Sequence, residues 1–277
     1  MTHSDYSSPD MKLKAWRAFS RAVAALHRAN VLRPDLDDVG HVVYDPATDQ
    51  VKFGRRPSMD EALTYRAAPD ELARNLTPLM QLVFAHRGGA DPAAVWAEFE
   101  ATYLAAMDDR GPQVMAHLRD FRQRLHQAAE MNMKALAQGH IGKTNEARQT
   151  FEALISEREA IGDYDGYCGA LCNLALLCAD AGDLTSAHAA VARAIRVARE
   201  HGRRRAWSLA LFQKGFLLKR EGDLTAAARY ADLAMHVWQR TGQPAPQQFI
   251  EMAATLKGDG PAGDDNPTRG QTLMAEN

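Results

Sequence analysis

The sequence predicts a mainly α-helical protein whose C-terminal half is built from repeated pairs of helices. Three glycines recur at a step of 40 residues: Gly142, Gly182 and Gly222. A second series keeps the same step and falls midway between the first: Gly162, Gly202 and Gly242. Self-similarity at a period of about 20 to 50 residues is typical of helical arrays, which bind partners on an extended surface. The repeat therefore indicates a binding protein rather than an enzyme.

The composition is that of an ordinary globular protein without a strong charge. Of the 277 residues, 46% are hydrophobic and 25% are charged, and the formal net charge is -2. This balance gives no general attraction to nucleic acid or to an anionic membrane. We interpret the one compact basic run, Arg203 to Arg205, as a solvated loop or helix end.

No targeting or membrane-spanning segment is predicted. The first apolar stretch, from Trp16 to Leu26, is interrupted by Arg17 and Arg21, so it lacks the continuous apolar region of a signal peptide. No segment approaches the roughly 20 apolar residues that a membrane helix needs. We therefore expect a cytoplasmic protein that neither inserts into membranes nor binds nucleic acid.

Neither a metal nor a cofactor is expected. Cys168 and Cys172 share one face of a predicted helix that also carries Cys178, but no histidine lies at zinc-finger spacing. Buried thiols are the expected state of all three, and a metal or redox pair is the alternative. A run of acidic residues could hold a cation, although capping and turn formation are its commoner use: Asp35, Asp37 and Asp38.

The N-terminal part predicts helices around one small β-hairpin. Residues 1–9 are polar and expected to be disordered, and an amphipathic helix follows from Asp10 to about Ala29. Two short runs rich in valine and aromatic residues then flank a turn, which predicts a hairpin over about residues 41–53. An isolated hairpin is only marginally stable, so this one is expected to lie against helices.

Further helices are predicted from the positions of their N-terminal acidic residues. One begins near Asp70, and another begins at Asp91 with a proline in its first turn. A break follows at Gly111, which we take as the boundary of an N-terminal helical domain over residues 10–110.

From residue 111 to 256 the pattern predicts a repeat domain. Each unit is two antiparallel helices, and the predicted order is units at residues 123–162, 163–202 and 203–242, a capping helix at 244–256 and a disordered tail at 257–277.

The turns of this array resemble those of tetratricopeptide-type (TPR) repeats. They run Gly142-Lys-Thr-Asn-Glu-Ala147, Gly182-Asp-Leu-Thr-Ser-Ala187 and Gly222-Asp-Leu-Thr-Ala-Ala227. A small residue also lies twelve positions before each alanine: Ala135, Ala175 and Gly215. The glycine lets the chain reverse, and the small residues let two helices approach closely. The period departs from the family's usual 34 or so residues, and Val191 and Ala231 fill a large-residue position less well than Phe151.

The resemblance implies that the first helix of each unit lines a concave groove that binds a protein or peptide. It places these residues there: Asn132, Leu136, His140, Cys172, Asn173, Leu176, Asp180, Phe212, Gln213, Phe216, Lys219 and Arg220. Such a groove would be apolar along its middle and basic at one end, and would suit a peptide with apolar anchors and an acidic group. The alternative is that Leu136, Leu176, Phe212 and Phe216 belong to the core between helices.

A weaker resemblance links residues 12–105 to the C-terminal lobe of kinase-like folds. The stretch from Leu26 to Leu36 is similar to the catalytic-loop region, and Lys52-Phe53-Gly54 falls where that family has Asp-Phe-Gly. Asp35 could orient the acceptor hydroxyl, but Gly40 and Lys52 occupy the positions of the two metal-binding residues. The resemblance implies an inactive remnant, with an unrelated helical domain as the alternative.

The leading hypothesis is a non-catalytic adaptor, chaperone-like holder or assembly factor that binds a partner segment in its groove. The main rival is a kinase-like remnant that retains nucleotide binding or phosphotransfer. A peptide-sensing regulator is the third possibility. The sequence carries no P-loop, no G-x-S-x-G, no H-E-x-x-H and no dinucleotide fingerprint. We therefore expect no catalytic residues.

Overall fold

Helices make up most of the protein in a computed structural model, which describes residues 9–32, 42–53, 65–76, 91–242 and 244–258. One two-stranded antiparallel hairpin accompanies them, so the predicted mainly α fold with a small hairpin is confirmed. By internal contacts the chain divides into two compact units, residues 1–123 and 124–277. The termini predicted to be disordered lie outside the described residues, apart from Pro9, Lys257 and Gly258.

The first unit combines helices with the hairpin. Its elements are α1 (Pro9–Arg28), β1 (Val42–Asp45), β2 (Gln50–Phe53), α2 (residues 69–76), α3 (Pro92–Ala106) and the beginning of α4 (Gly111–His140). The break predicted at Gly111 is where α4 begins, and α4 continues without interruption to His140.

The hairpin packs on α1, as its marginal stability requires. Tyr44 faces Val51 across the strands and is buried against Ala15 and Ala18 of α1. The Tyr44 hydroxyl donates to Asp49 in the turn at 2.9 Å, which fastens the loop to the strand that precedes it.

The second unit is a succession of antiparallel helices, five of which are 16 or 17 residues long. After α4 come α5 (Thr144–Ala160), α6 (Tyr164–Asp180), α7 (Leu184–Glu200), α8 (Arg204–Arg220), α9 (Leu224–Gln239) and α10 (Gln247–Lys257). From α5 to α9 a helix begins every 20 residues, and a pair of helices therefore repeats every 40.

The turns that join α4 through α9 share one backbone geometry, which the α6–α7 turn illustrates. Gly182 has a φ of 82°, the left-handed conformation that a side chain disfavours. The Gly182 amide donates to Ala179 C=O and the Asp183 amide donates to Cys178 C=O, so the turn is a Schellman motif. Asp183 then caps α7 by accepting from the Ser186 amide at 3.0 Å. One helix ends and the next begins within three residues.

Small residues lie where neighbouring helices cross. All three alanines that follow the first series of glycines are completely buried: Ala147, Ala187 and Ala227. At Gly215 on α8 even a methyl group would be crowded, since a Cβ would lie 3.3 Å from the Ala227 carbonyl oxygen and 2.9 Å from Leu256 Cδ1. The spacing of small residues thus sets how closely the helices approach.

The cap of α6 is unusual because an arginine shares it. Asp163 is 2% exposed, accepts from the Gly166 amide at 3.0 Å and forms an ion pair with Arg158 of α5. A Cβ at residue 166 would overlap the Asp163 carboxylate and lie 2.7 Å from Arg158 Nη1. The corresponding positions of α7 and α9 are Ser186 and Ala226, so only this turn requires a glycine there.

We predict that Gly166→Ala lowers the free energy of unfolding by about 1 to 2 kcal/mol, because the methyl group displaces the Asp163 cap. The same substitution at an unhindered helical site normally stabilises a protein by up to about 1 kcal/mol. Gly169→Ala on the same helix is the matched control, since its Cβ position has no neighbour within 4 Å apart from the adjoining residues and the backbone of its own helix. Urea unfolding checks both variants, and equal effects would contradict the crowding argument.

Candidate functional site

A pocket of about 340 Å³ opens between the C-terminal halves of α4 and α6, within the second unit. Its lining residues come from α4, α5, α6 and the residue that follows α6: Ala135, Leu136, Gly139, His140, Thr144, Phe151, Asn173, Leu177, Asp180 and Ala181. The pocket thus brings together four of the residues predicted for the groove: Leu136, His140, Asn173 and Asp180. Helices α4 and α6 are the first helices of two successive pairs.

The pocket has an apolar floor and a polar rim. Ala135 and Phe151 are buried at its base, and Leu136 and Leu177 are half-buried in its walls. His140 and Asp180 are exposed at the mouth. This arrangement suits an apolar side chain that inserts between the helices while polar groups beside it stay near water.

A pair of amides crosses from α4 to α6 beside the pocket. Asn173 is 6% exposed, and its Nδ2 donates to Asn132 Oδ1 at 3.1 Å. A buried amide needs such a partner, so the bond fixes the orientation of both side chains. Asn132 is therefore held next to the pocket although it does not line it.

The charges predicted at one end of the groove are paired. Arg220 Nη1 of α8 lies 2.7 Å from Asp180 Oδ1 of α6, and both side chains are 42% exposed. An exposed ion pair of this kind contributes little to stability. Its effect here is to balance the positive charge of Arg220 at the rim. Lys219 and Gln213 are half-buried on α8.

Two residues predicted for the groove are core residues. Phe212 is completely buried and meets the ring of Phe249 edge-on at 5.1 Å, because α10 covers this side of α8. Cys172 is 2% exposed within the cluster formed by α4, α5, α6 and α7. Leu176 is half-buried, and half-buried Phe216 packs against the same cluster as Phe212. For Phe212, therefore, the alternative holds that the residue belongs to the core between helices and not to the groove.

Leu177 is one of the pocket residues that the sequence reasoning missed. It lies four residues after Asn173, and residues four apart share one face of a helix. That spacing could have selected Leu177 instead of its neighbour Leu176. Phe151 was recognised as a large residue but not as the floor of a pocket, since its helix was placed outside the groove.

The three cysteines are buried free thiols. Burial raises the pKa of Cys168 to about 12 and also raises the pKa of Cys172 and Cys178. The thiolate is the reactive form of cysteine, so these thiols are held in their unreactive state at neutral pH. Among the described residues no three His, Cys, Asp or Glu side chains are grouped as metal ligands.

The first unit contains a buried polar network centred on His27. His27 Nε2 lies 3.1 Å from the side-chain amide oxygen (Oδ1) of Asn75. This oxygen can only accept a hydrogen bond, so Nε2 carries the proton. Nδ1 then accepts from the Tyr103 hydroxyl at 2.7 Å. Burial, together with the nearby positive charge of Arg110, lowers the pKa of His27 to about 4. The network holds a neutral imidazole between α1, α2 and α3.

Arg110 closes the same network at the start of α4. It is 6% exposed, and its guanidinium donates to the backbone carbonyls of His27 and Ala67 at 3.0 and 3.1 Å. It also donates to Asn30 Oδ1 at 2.8 Å and to the Asp108 carboxylate at 2.7 Å. These partners satisfy a charge that would be costly to bury alone.

The residues that carried the kinase resemblance are only partly described. Asp35, Asp37, Asp38 and Gly40 lie outside the described residues. Lys52 is an exposed residue of β2, and its ammonium group lies 3.4 Å from Asp45 Oδ2. An ammonium group donates and cannot coordinate Mg²⁺, so Lys52 cannot replace a metal-binding aspartate.

Comparison of the chain with protein-family models, with curated proteins and with solved structures gave no match. In the described part of the chain, no helix is long and apolar enough to cross a membrane.

We predict that the first unit loses stability as the pH falls from about 6.5 to 4, because the unfolded chain binds a proton at His27 before the folded chain does. The expected loss between pH 7.5 and 5 is about 2 kcal/mol. Hydrogen exchange of the α1 and α3 amides, corrected for the intrinsic rate at each pH, measures it. His27→Gln should flatten this dependence, whereas His117→Gln, an exposed residue of the same unit, should preserve it. If the pH dependence of stability were unchanged in His27→Gln, its attribution to His27 would be wrong.

Proposed function

We propose that the protein is a non-catalytic interaction module that binds a segment of a protein partner in the pocket between α4 and α6. The observation that carries this proposal is the pocket's composition, with Leu136 and Leu177 in its walls and His140 and Asp180 at its mouth. Pockets that combine apolar walls with a few polar groups are typical binding sites.

The repeated architecture and the resemblance to tetratricopeptide-type repeats support the same function. Both place the first helix of each pair beside the first helix of the next, and the pocket lies between two such helices. The Asn173–Asn132 hydrogen bond fixes polar groups next to the apolar walls. An adaptor, a chaperone-like holder or an assembly factor would each use such a site in the same way.

The expected ligand is an extended peptide or a helix with one large apolar anchor. A pocket of about 340 Å³ accepts a leucine, methionine or aromatic side chain with neighbouring backbone. Because Asp180 is paired with Arg220 at the rim, an acidic ligand group could compete for Arg220 and a basic one for Asp180. The apolar anchor therefore sets the affinity, and the rim adjusts specificity.

We predict that selection from a random peptide library on the purified protein enriches sequences with a shared apolar anchor. Leu177→Arg should weaken binding of the selected peptides by at least tenfold, because it places a charge in the apolar wall. Fluorescence anisotropy with labelled peptides measures this effect.

Leu184→Arg is the matched control, because Leu184 is a half-buried leucine that packs on the same core but does not line the pocket. It should leave the affinity within about twofold while reporting any loss of stability. The assignment of the pocket as the binding site would be wrong if both variants weakened peptide binding equally. It would also be wrong if the selected peptides bound both variants as tightly as they bind the original protein.

A further inference from the structure

Three polar side chains form a continuous line of hydrogen bonds between α7 and the C-terminal half of α8. His188 of α7 lies between Lys214 and Glu221, which are seven residues apart and so share one side of α8. Lys214 Nζ lies 2.8 Å from His188 Nδ1, and His188 Nε2 lies 2.9 Å from Glu221 Oε1. We call these three residues the Lys214 triad. None of them lines the pocket between α4 and α6.

The two hydrogen bonds fix the protonation of the imidazole. An ammonium group can only donate, so His188 Nδ1 accepts from Lys214 and carries no proton. Nε2 therefore carries the proton and donates to the Glu221 carboxylate. A carboxylate, an imidazole and a nucleophilic group thus follow one another in the order that is typical of activated nucleophiles.

The hydrogen-bond partner of Lys214 differs from that of other lysines in the protein. Lys52, Lys143 and Lys257 each pair with a carboxylate. In the described part of the chain, the imidazole of His188 is the one polar partner of Lys214. A carboxylate favours the charged ammonium form, whereas an unprotonated imidazole nitrogen can accept a proton and leave a neutral amine. The neutral amine is the nucleophilic form of lysine.

The repeat does not require the Lys214 triad. The residues 40 positions before its members are Arg148, Leu174 and Ala181, which occupy the corresponding places of α5 and α6. That pair of helices therefore packs without a lysine, an imidazole or a carboxylate at these places. A contact that served only to join successive helices of the array would recur in each unit. Its restriction to α7 and α8 favours a separate role.

The Lys214 triad is partly buried and still accessible. Lys214 is half-buried, and the side chains of His188 and Glu221 are 24% and 32% exposed. Partial burial strengthens the two hydrogen bonds, while the remaining exposure admits a small reagent. The ammonium and carboxylate charges on either side of the imidazole balance each other. An uncharged electrophile is therefore favoured over an anionic one.

We propose that Lys214 is an acylation site that reacts with small acyl thioesters, with His188 as the base. The Lys214 ammonium group gives one proton to His188 Nδ1, and Glu221 stabilises the imidazolium that forms. The neutral amine attacks the thioester carbonyl carbon, so a C–N bond forms and the C–S bond breaks. One proton of the attacking amine goes to the departing thiolate, and the imidazolium releases its proton to water.

The acylated side chain fits the same place. Its amide nitrogen keeps one hydrogen, which can still donate to His188 Nδ1, while the positive charge of Lys214 is lost. Acylation therefore changes the charge of this surface without removing the contact between α7 and α8. The inference goes beyond the proposed function and does not depend on whether the pocket binds a partner.

The test incubates the full-length protein with the S-acetyl thioester of N-acetylcysteamine and follows acetylation of each lysine by peptide mass spectrometry. Lys134 is the internal reference, because it is exposed and has no polar partner in the described part of the chain. Lys214 is expected to react at least about tenfold faster than Lys134, although Lys214 is less exposed.

Two variants test the roles of the other triad members. His188→Gln should remove the rate advantage of Lys214, since a glutamine amide can accept a hydrogen bond but does not act as a base. Glu221→Gln should give a smaller loss, because its amide oxygen still accepts from His188 Nε2 but stabilises the imidazolium less. Urea unfolding checks that each variant is folded.

His236→Gln is the matched control, since it removes an exposed imidazole from α9, outside the Lys214 triad. It should change the acetylation rate of Lys214 by less than about twofold. The proposal would be overturned if Lys214 reacted no faster than Lys134, if its rate were unchanged in His188→Gln, or if His236→Gln lowered the rate equally. Leu177→Arg should leave the acetylation of Lys214 unchanged, so failure of the pocket and failure of the triad give different results.

Discussion

The second unit depends on one short turn, in which a left-handed glycine is followed directly by the N-cap residue of the next helix. Since the turn takes only three residues, each helix must run back beside the one before it. Helices of 16 or 17 residues between turns of the same backbone geometry place every first helix of a pair next to the first helix of the following pair. The pocket between α4 and α6 is a consequence of that regularity.

Departures from the regular turn mark places with a special environment. At Asp163 a half-buried arginine, Arg158, shares the cap, and the helix accommodates it with Gly166. At Lys143 and Arg203 the aspartate is replaced, and α5 and α8 begin without a side-chain cap. The first departure lies inside the protein and has a packing explanation. Arg203 is half-buried and lies 3.7 Å from Asp165.

The first unit is organised by polar contacts rather than by repetition. Arg110 binds backbone carbonyls on either side of the hairpin in the sequence, and His27 joins α1 to α2 and α3 through Asn75 and Tyr103. The spacing of these residues does not predict their contacts, because the partners are 43 to 83 positions apart in the sequence. A buried histidine and a buried arginine can be recognised only once their partners are placed.

The sequence by itself determined the helices, their turns and the hairpin, because glycine positions, caps and apolar spacing act over a few residues. It also indicated Leu136, His140 and Asn173, which the same helical faces bring to the pocket. Only the tertiary structure decided that Phe212 is core, since that depends on Phe249 of α10, 37 positions later. Likewise the Arg203–Arg205 run looked like an ordinary solvated turn, and its meeting with Arg240 required α9 to fold back beside α8. Helix formation, capping and turns depend on residues that are close in the sequence. Burial and charge density depend on which distant parts of the chain come into contact.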